Sequence, residues 1–96
     1  MKHRKLLLPA LLLAVYAPLS MACSKPETPD LPDPATAVTP QMVKAQNDVK
    51  AYMDNANAYL KCKITDSQHN AMVKEMESLA TKFNGIIRAY KERMAG

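Results

Sequence analysis

All seven prolines of this chain lie at or before position 40, and that asymmetry constrains the fold more than any other feature. Proline lacks a backbone donor and its ring clashes with the preceding turn, so helix is barred where prolines cluster and open where they are missing. Pro26, Pro29, Pro32 and Pro34 make "KPETPDLPDPATAV" an extended, polyproline-II-like arm over residues 23–38, with a disordered tether as the alternative to an ordered arm. From Gln41 onward no proline interrupts the chain, and the only glycines are Gly85 and the terminal Gly96. A strand-and-turn protein needs more glycine and more β-branched residues than this. The expected fold class is all-α: an antiparallel two-helix hairpin over residues 39–96, preceded by the arm and by a cleaved signal peptide over residues 1–22.

The signal peptide is read from three adjoining parts. Lys2, His3, Arg4 and Lys5 form a basic start, "LLLPALLLAVYAPL" (Leu6–Leu19) is an apolar run too short for a spanning helix, and "SMA" ends on a small residue. Its removal changes the meaning of the charge. Residues 2–5 hold three of the thirteen Lys and Arg and no acid, which leaves ten bases against nine acids from Cys23 onward. The basic pI belongs to the leader, so composition gives no argument for nucleic acid or for an anionic membrane surface. What remains is one small domain, marginal unless something staples it.

Two stripes fix the helices. Thr39 is a suitable N-cap with Pro40 in the first helical position. Met42, Ala45, Val49, Tyr52, Ala56 and Tyr59 then recur in alternating steps of three and four. This helix is expected to end near Cys62 or Lys63. "ITDSQ" (Ile64–Gln68) is the break, with Thr65 and Gln68 placed for a capping box. The second helix, expected over about 67–94, carries His69, Met72, Met76, Leu79, Phe83, Ile86 and Tyr90 on one stripe. It is expected to run through Gly85. Lys44/Asp48, Lys50/Asp54 and Arg88/Glu92 are spaced as i,i+4 pairs on the wet side. The pairs Tyr59/Met72, Ala56/Met76, Tyr52/Leu79, Val49/Phe83, Ala45/Ile86 and Met42/Tyr90 have a nearly constant sum of positions, as facing residues of an antiparallel hairpin must. Small meets large at Ala56/Met76 and Ala45/Ile86.

Cys23 admits two fates. A lipoprotein signal places a large aliphatic residue three positions before the cysteine, but here Ser20 stands there and Leu19 is one place too early. "SMA" suits ordinary signal peptidase better. The only other cysteine is Cys62, and an exported chain meets an oxidising compartment. A helix from Gln41 to Cys62 is about 33 Å long, and the arm from Cys23 to Pro40 reaches about 50 Å. The arm is therefore long enough to fold back and deliver Cys23 to the turn. A Cys23–Cys62 disulfide closing that loop contributes about 4 kcal/mol in the chain-entropy model. Lipidation of Cys23, with anchoring to the outer membrane, is the alternative.

"ACSKPETPDLPD", "AYLKC", "HNAMVKEM" and "FNGIIRAYKERM" together resemble small exported periplasmic proteins of Gram-negative bacteria that carry no known activity. The resemblance implies periplasmic placement and paired cysteines, and no catalytic or ligand residues.

Candidate chemistry is sparse. Cys62, His69 and Met72, if Cys62 were a free thiol, would be soft ligands suited to Cu(I); the competing reading makes Met72 and Met76 core filler and His69 a polar residue at the helix start. Asp66, Ser67 and His69 are spaced for capping rather than as a nucleophile–base–orienter array. Glu75 and Glu77, two apart, point to different sides of a helix. No glycine-rich phosphate loop exists. The expectation is a non-enzymatic structural or interaction protein without cofactor. Val43, Met53, Leu60, Val73, Ala80 and Ile87 flank the seam, where the arm, a protein partner or a second copy would cover them.

Overall fold

The computed structural model describes residues 23–96; the segment read as a signal peptide lies outside the described residues. Two helices, α1 (Thr39–Leu60) and α2 (Asp66–Ala95), are joined by residues 61–65, and the described residues contain no strand. The helices run antiparallel. Thr39 at the start of α1 has its hydroxyl 2.7 Å from that of Tyr90 near the end of α2. Midway, the Tyr52 hydroxyl donates to Glu75 at 3.0 Å.

The helix ends follow local chemistry and correct the expected boundaries by one to three residues. The N-cap of α1 is Val38, not Thr39, and Pro40 falls at the second helical position. Gln41 causes the shift: its side-chain oxygen accepts from the Val38 N–H at 2.9 Å, satisfying an otherwise orphaned donor without the Thr39 hydroxyl. That hydroxyl is left for Tyr90. At the other end α1 stops at Leu60, short of Cys62. Lys61 and Cys62 donate to carbonyls three residues back, at 3.2 and 3.0 Å, tightening the last turn. α2 begins with the expected capping box. Gln68 N–H donates to the Thr65 hydroxyl at 3.1 Å, and Thr65 N–H donates to the Gln68 side chain at 2.9 Å. α2 passes through Gly85 without a break.

The core is the seam between the stripes. Met42, Ala45, Tyr52, Ala56 and Tyr59 of α1 and Met72, Leu79 and Phe83 of α2 are buried. Val49, Met76, Ile86 and Tyr90 are half-buried. His69 is the exception: it lies on the predicted stripe yet is exposed, because α1 ends before reaching it. Ala56 has no exposed surface and Met72 1 %. Fully burying a side chain such as Met72 or Phe83 contributes about 1.5–3 kcal/mol, so a seam this short makes a marginal domain by itself.

Of the three predicted exposed pairs only Lys44–Asp48 forms, at 2.7 Å; Lys50/Asp54 and Arg88/Glu92 do not close. Such pairs gain tenths of a kcal/mol and lose side-chain freedom, so spacing alone does not close them. The hydrogen bond to Asp48 holds the Lys44 ammonium above the ordinary lysine range.

Before α1, residues 25–33 form neither helix nor strand. Leu31 packs against the core cluster of Tyr52, Ala56, Tyr59, Met72 and Leu79. A turn follows at Pro34–Thr36. The Asp33 carbonyl accepts from Thr36 N–H and Ala37 N–H at 3.2 and 2.9 Å, and its carboxylate accepts from Ala35 N–H at 2.9 Å.

Candidate functional site

Residues 23–38 are fastened to the hairpin at three levels. At the turn end Cys23 and Cys62 are joined by a disulfide with Cα atoms 5.7 Å apart, bridging a sequence separation of 39. α1 stops at Leu60, so Cys62 stands on the tightened turn rather than on the helix flank, where it meets the first described residue.

The middle level is centred on Glu75. One carboxylate oxygen accepts from the Tyr52 hydroxyl, and the other lies 3.1 Å from Lys25 Nζ. Three segments thus converge on one side chain. Burial first, then the hydrogen bond to Glu75 and its negative charge, push the Tyr52 hydroxyl up to about 12. Helical spacing explains why Glu75 and not Glu77 takes this place. Glu75 lies four residues before Leu79 on the seam side, and Glu77 is exposed.

At the open end Arg93 donates through Nε to the Pro34 carbonyl at 2.8 Å and through Nη2 to the Ala37 carbonyl. Its guanidinium lies 5.4 Å from the ring centre of Tyr90, whose hydroxyl meets Thr39. Ala37 is buried beneath this arrangement.

Residues 23–38 take one side of the seam and leave the other open. Asp30, Leu31 and Pro32 lie beside Gln41, Lys44 and Asp48, and Thr28 and Pro29 lie beside Ser78 and Lys82. Helical spacing puts Val43 and Gln46 of α1, and Ile87 and Lys91 of α2, on the opposite side. There Met42, Val43, Phe83, Ile87, Tyr90 and Lys91 line a groove of about 320 Å³. Val43 is 51 % exposed, and Met94, one turn beyond Tyr90, is 59 % exposed.

The soft-ligand set does not assemble. Cys62 sulfur is bonded to Cys23, Met72 is in the core and His69 is exposed in the first turn of α2. With the disulfide formed, no thiolate is left to bind a metal. Asp66, Ser67 and His69 lie in that same exposed turn, where Thr65 does the capping.

Tyr52–Glu75 and the contacts of Arg93 were not foreseen from the sequence. Both depend on where the N-terminal segment lies, and only the apolar-stripe phase of Glu75 hinted at either. Comparison of the chain with family models, with curated proteins and with solved structures finds no match in any of the three.

Proposed function

We propose that this chain is a small exported, non-enzymatic helical-hairpin protein that works in the periplasm as a structural or protein-interaction module, stapled by Cys23–Cys62. The observation that carries the reading is the unequal treatment of the two sides of the seam. One is overlain by the chain's own proline-rich segment; the other keeps an apolar groove with Met42, Val43, Phe83 and Ile87 in it. The polar groups that do meet, Tyr52 with Glu75 and Arg93 with two carbonyls, bind segments of the chain to one another. A disulfide across a domain this small supports an oxidising compartment.

The open groove suits a protein partner or a second copy, the latter completing a four-helix bundle. Sedimentation over a wide concentration range, with Ile87→Glu as the control, tests the second copy. A dimer lost on Ile87→Glu supports self-association. A strict monomer that captures nothing from envelope extracts through this face, with wild-type and Ile87→Glu proteins behaving alike, overturns the interaction reading. The intact mass of the protein from its native envelope tests export and the fate of Cys23: an oxidised chain starting at Cys23 agrees with the proposal, and a diacylglyceryl adduct replaces it with outer-membrane anchoring.

A further inference from the structure

We propose that the Cys23–Cys62 disulfide is a redox latch on the N-terminal segment: its reduction releases residues 23–32 from the seam while α1 and α2 stay paired. The inference rests on how unevenly the segment is held. Beyond the disulfide, residues 24–32 have one ion pair, Lys25–Glu75, in which the Lys25 side chain is 54 % exposed, and apolar groups that are covered only in part: Leu31, which packs on the core cluster, and Pro26, Pro29 and Pro32. No backbone group of residues 24–32 is hydrogen-bonded to either helix. An exposed ion pair contributes at most about 1 kcal/mol, and the partly covered leucine and three prolines each add less than the roughly 1.5–3 kcal/mol that full burial of a large apolar side chain gives. Ordering a residue costs about 1–2 kcal/mol of backbone entropy, reduced here because three of the nine residues are prolines. The non-covalent grip therefore falls short of the ordering cost, and the covalent bond makes up the difference.

The release has a defined end. From Asp33 onward the chain is held by its own turn and by Arg93 at Pro34 and Ala37. The hairpin has its own ties between the helices, Thr39–Tyr90 at the open end and Tyr52–Glu75 midway, besides the buried seam. Asp33 is thus the hinge, and residues 23–32 are the moving part.

Access favours attack at one sulfur. Cys23 is exposed and Cys62 half-buried. A thiolate of a dithiol donor, the class of reductant that thiol–disulfide oxidoreductases provide, attacks Cys23 Sγ. The mixed disulfide forms and Cys62 leaves as a thiolate that takes a proton. The donor's second thiolate then attacks its own bonded sulfur, freeing Cys23, which is protonated in turn. Two electrons pass to the protein and the donor ends as a disulfide. Opening breaks Lys25–Glu75 and uncovers the seam beside Leu79.

The test is backbone NMR relaxation of the isotope-labelled protein before and after reduction with dithiothreitol, and of Cys23→Ser without reductant. The amides of Glu27, Thr28 and Leu31 are expected to fall from rigid order parameters, about 0.85, to below about 0.6, while Tyr52 and Leu79 keep theirs. Residues 24–32 staying rigid in both the reduced protein and Cys23→Ser overturns the latch, as does loss of helix order together with the segment. The proposal is independent of what occupies the opposite groove, so a failed dimer or partner test leaves it standing.

Discussion

The Tyr52 hydroxyl and the Glu75 carboxylate meet at 3.0 Å across the two helices, and the same carboxylate takes Lys25 from the N-terminal segment. Neither residue announces this in the sequence, where Tyr52 reads as a core aromatic and Glu75 as a surface acid. Burying the tyrosine ring forces its hydroxyl to find a partner, and the only carboxylate at the right phase of α2 supplies it.

That contact makes stability fall at high pH. Tyr52 is pushed up to about 12, first by burial and then by Glu75, whereas an unfolded tyrosine titrates near 10. Its contribution is fully present below about pH 10. Between about 10 and 12 the unfolded chain sheds a proton that the folded chain keeps, so stability declines by up to about 1.4 kcal/mol per pH unit and is lost as pH passes the folded value. Thermal melts across this window are expected to fall less steeply for Tyr52→Phe. Equal slopes for the two proteins would remove Tyr52 as the cause.

Gly85 marks where α2 is weaker than it need be. A Cβ built there meets nothing within 4 Å, and the helix runs through it. Gly85→Ala is expected to stabilise by about 1 kcal/mol, which for a domain of this size raises Tm by about 4–8 °C. An unchanged or lower Tm would show that this stretch of α2 is not helical in solution.

The seam itself was legible in advance. Alternating steps of three and four from Met42 to Tyr59 and from Met72 to Tyr90 mark which faces meet, and proline position marks where helix begins. Ends and side-chain partners were less legible. Gln41 outcompetes Thr39 for the first cap through a backbone contact that composition does not reveal. Arg93 finds carbonyls on a segment more than fifty positions away, and no local spacing encodes that. His69 kept the right phase but lost its cover when α1 ended early.

Ala56 tests the closeness of the seam. It has no exposed surface and belongs to the central cluster. Ala56→Leu is expected to destabilise by about 1–3 kcal/mol through overpacking, read from chemical denaturation. A neutral outcome would mean that the helices part easily at this level.

Arg93 tests the open end. Its two charge-assisted bonds to Pro34 and Ala37 hold the chain where it enters α1. Arg93→Ala is expected to cost about 1–2 kcal/mol, with most of the effect retained in Arg93→Lys because lysine lacks the planar fork. Proteolysis near Asp33 should rise in both variants. Full stability in Arg93→Lys would reduce the role of the guanidinium to bare charge.

The two cysteines give the most discriminating test. Both are unreactive toward thiol reagents while the bond stands, and reduction is expected to lower Tm. Cys23→Ser and Cys62→Ser open the same loop, so they should destabilise by similar amounts, with the double variant no worse than either single one. The size of the loss carries further information. Removing a cross-link of sequence separation 39 costs about 4 kcal/mol if only the unfolded chain gains freedom. If residues 23–32 also come loose in the folded hairpin, the native state regains entropy as well, and the loss must be smaller. A drop of about 1–2 kcal/mol with intact helical circular dichroism is therefore expected. A drop near the full loop value would mean that the bond staples the whole domain and that the segment does not separate from it. A lipid anchor leaves a different signature: Cys23→Ser alone would release the protein from the membrane, and Cys62→Ser would do nothing of the kind.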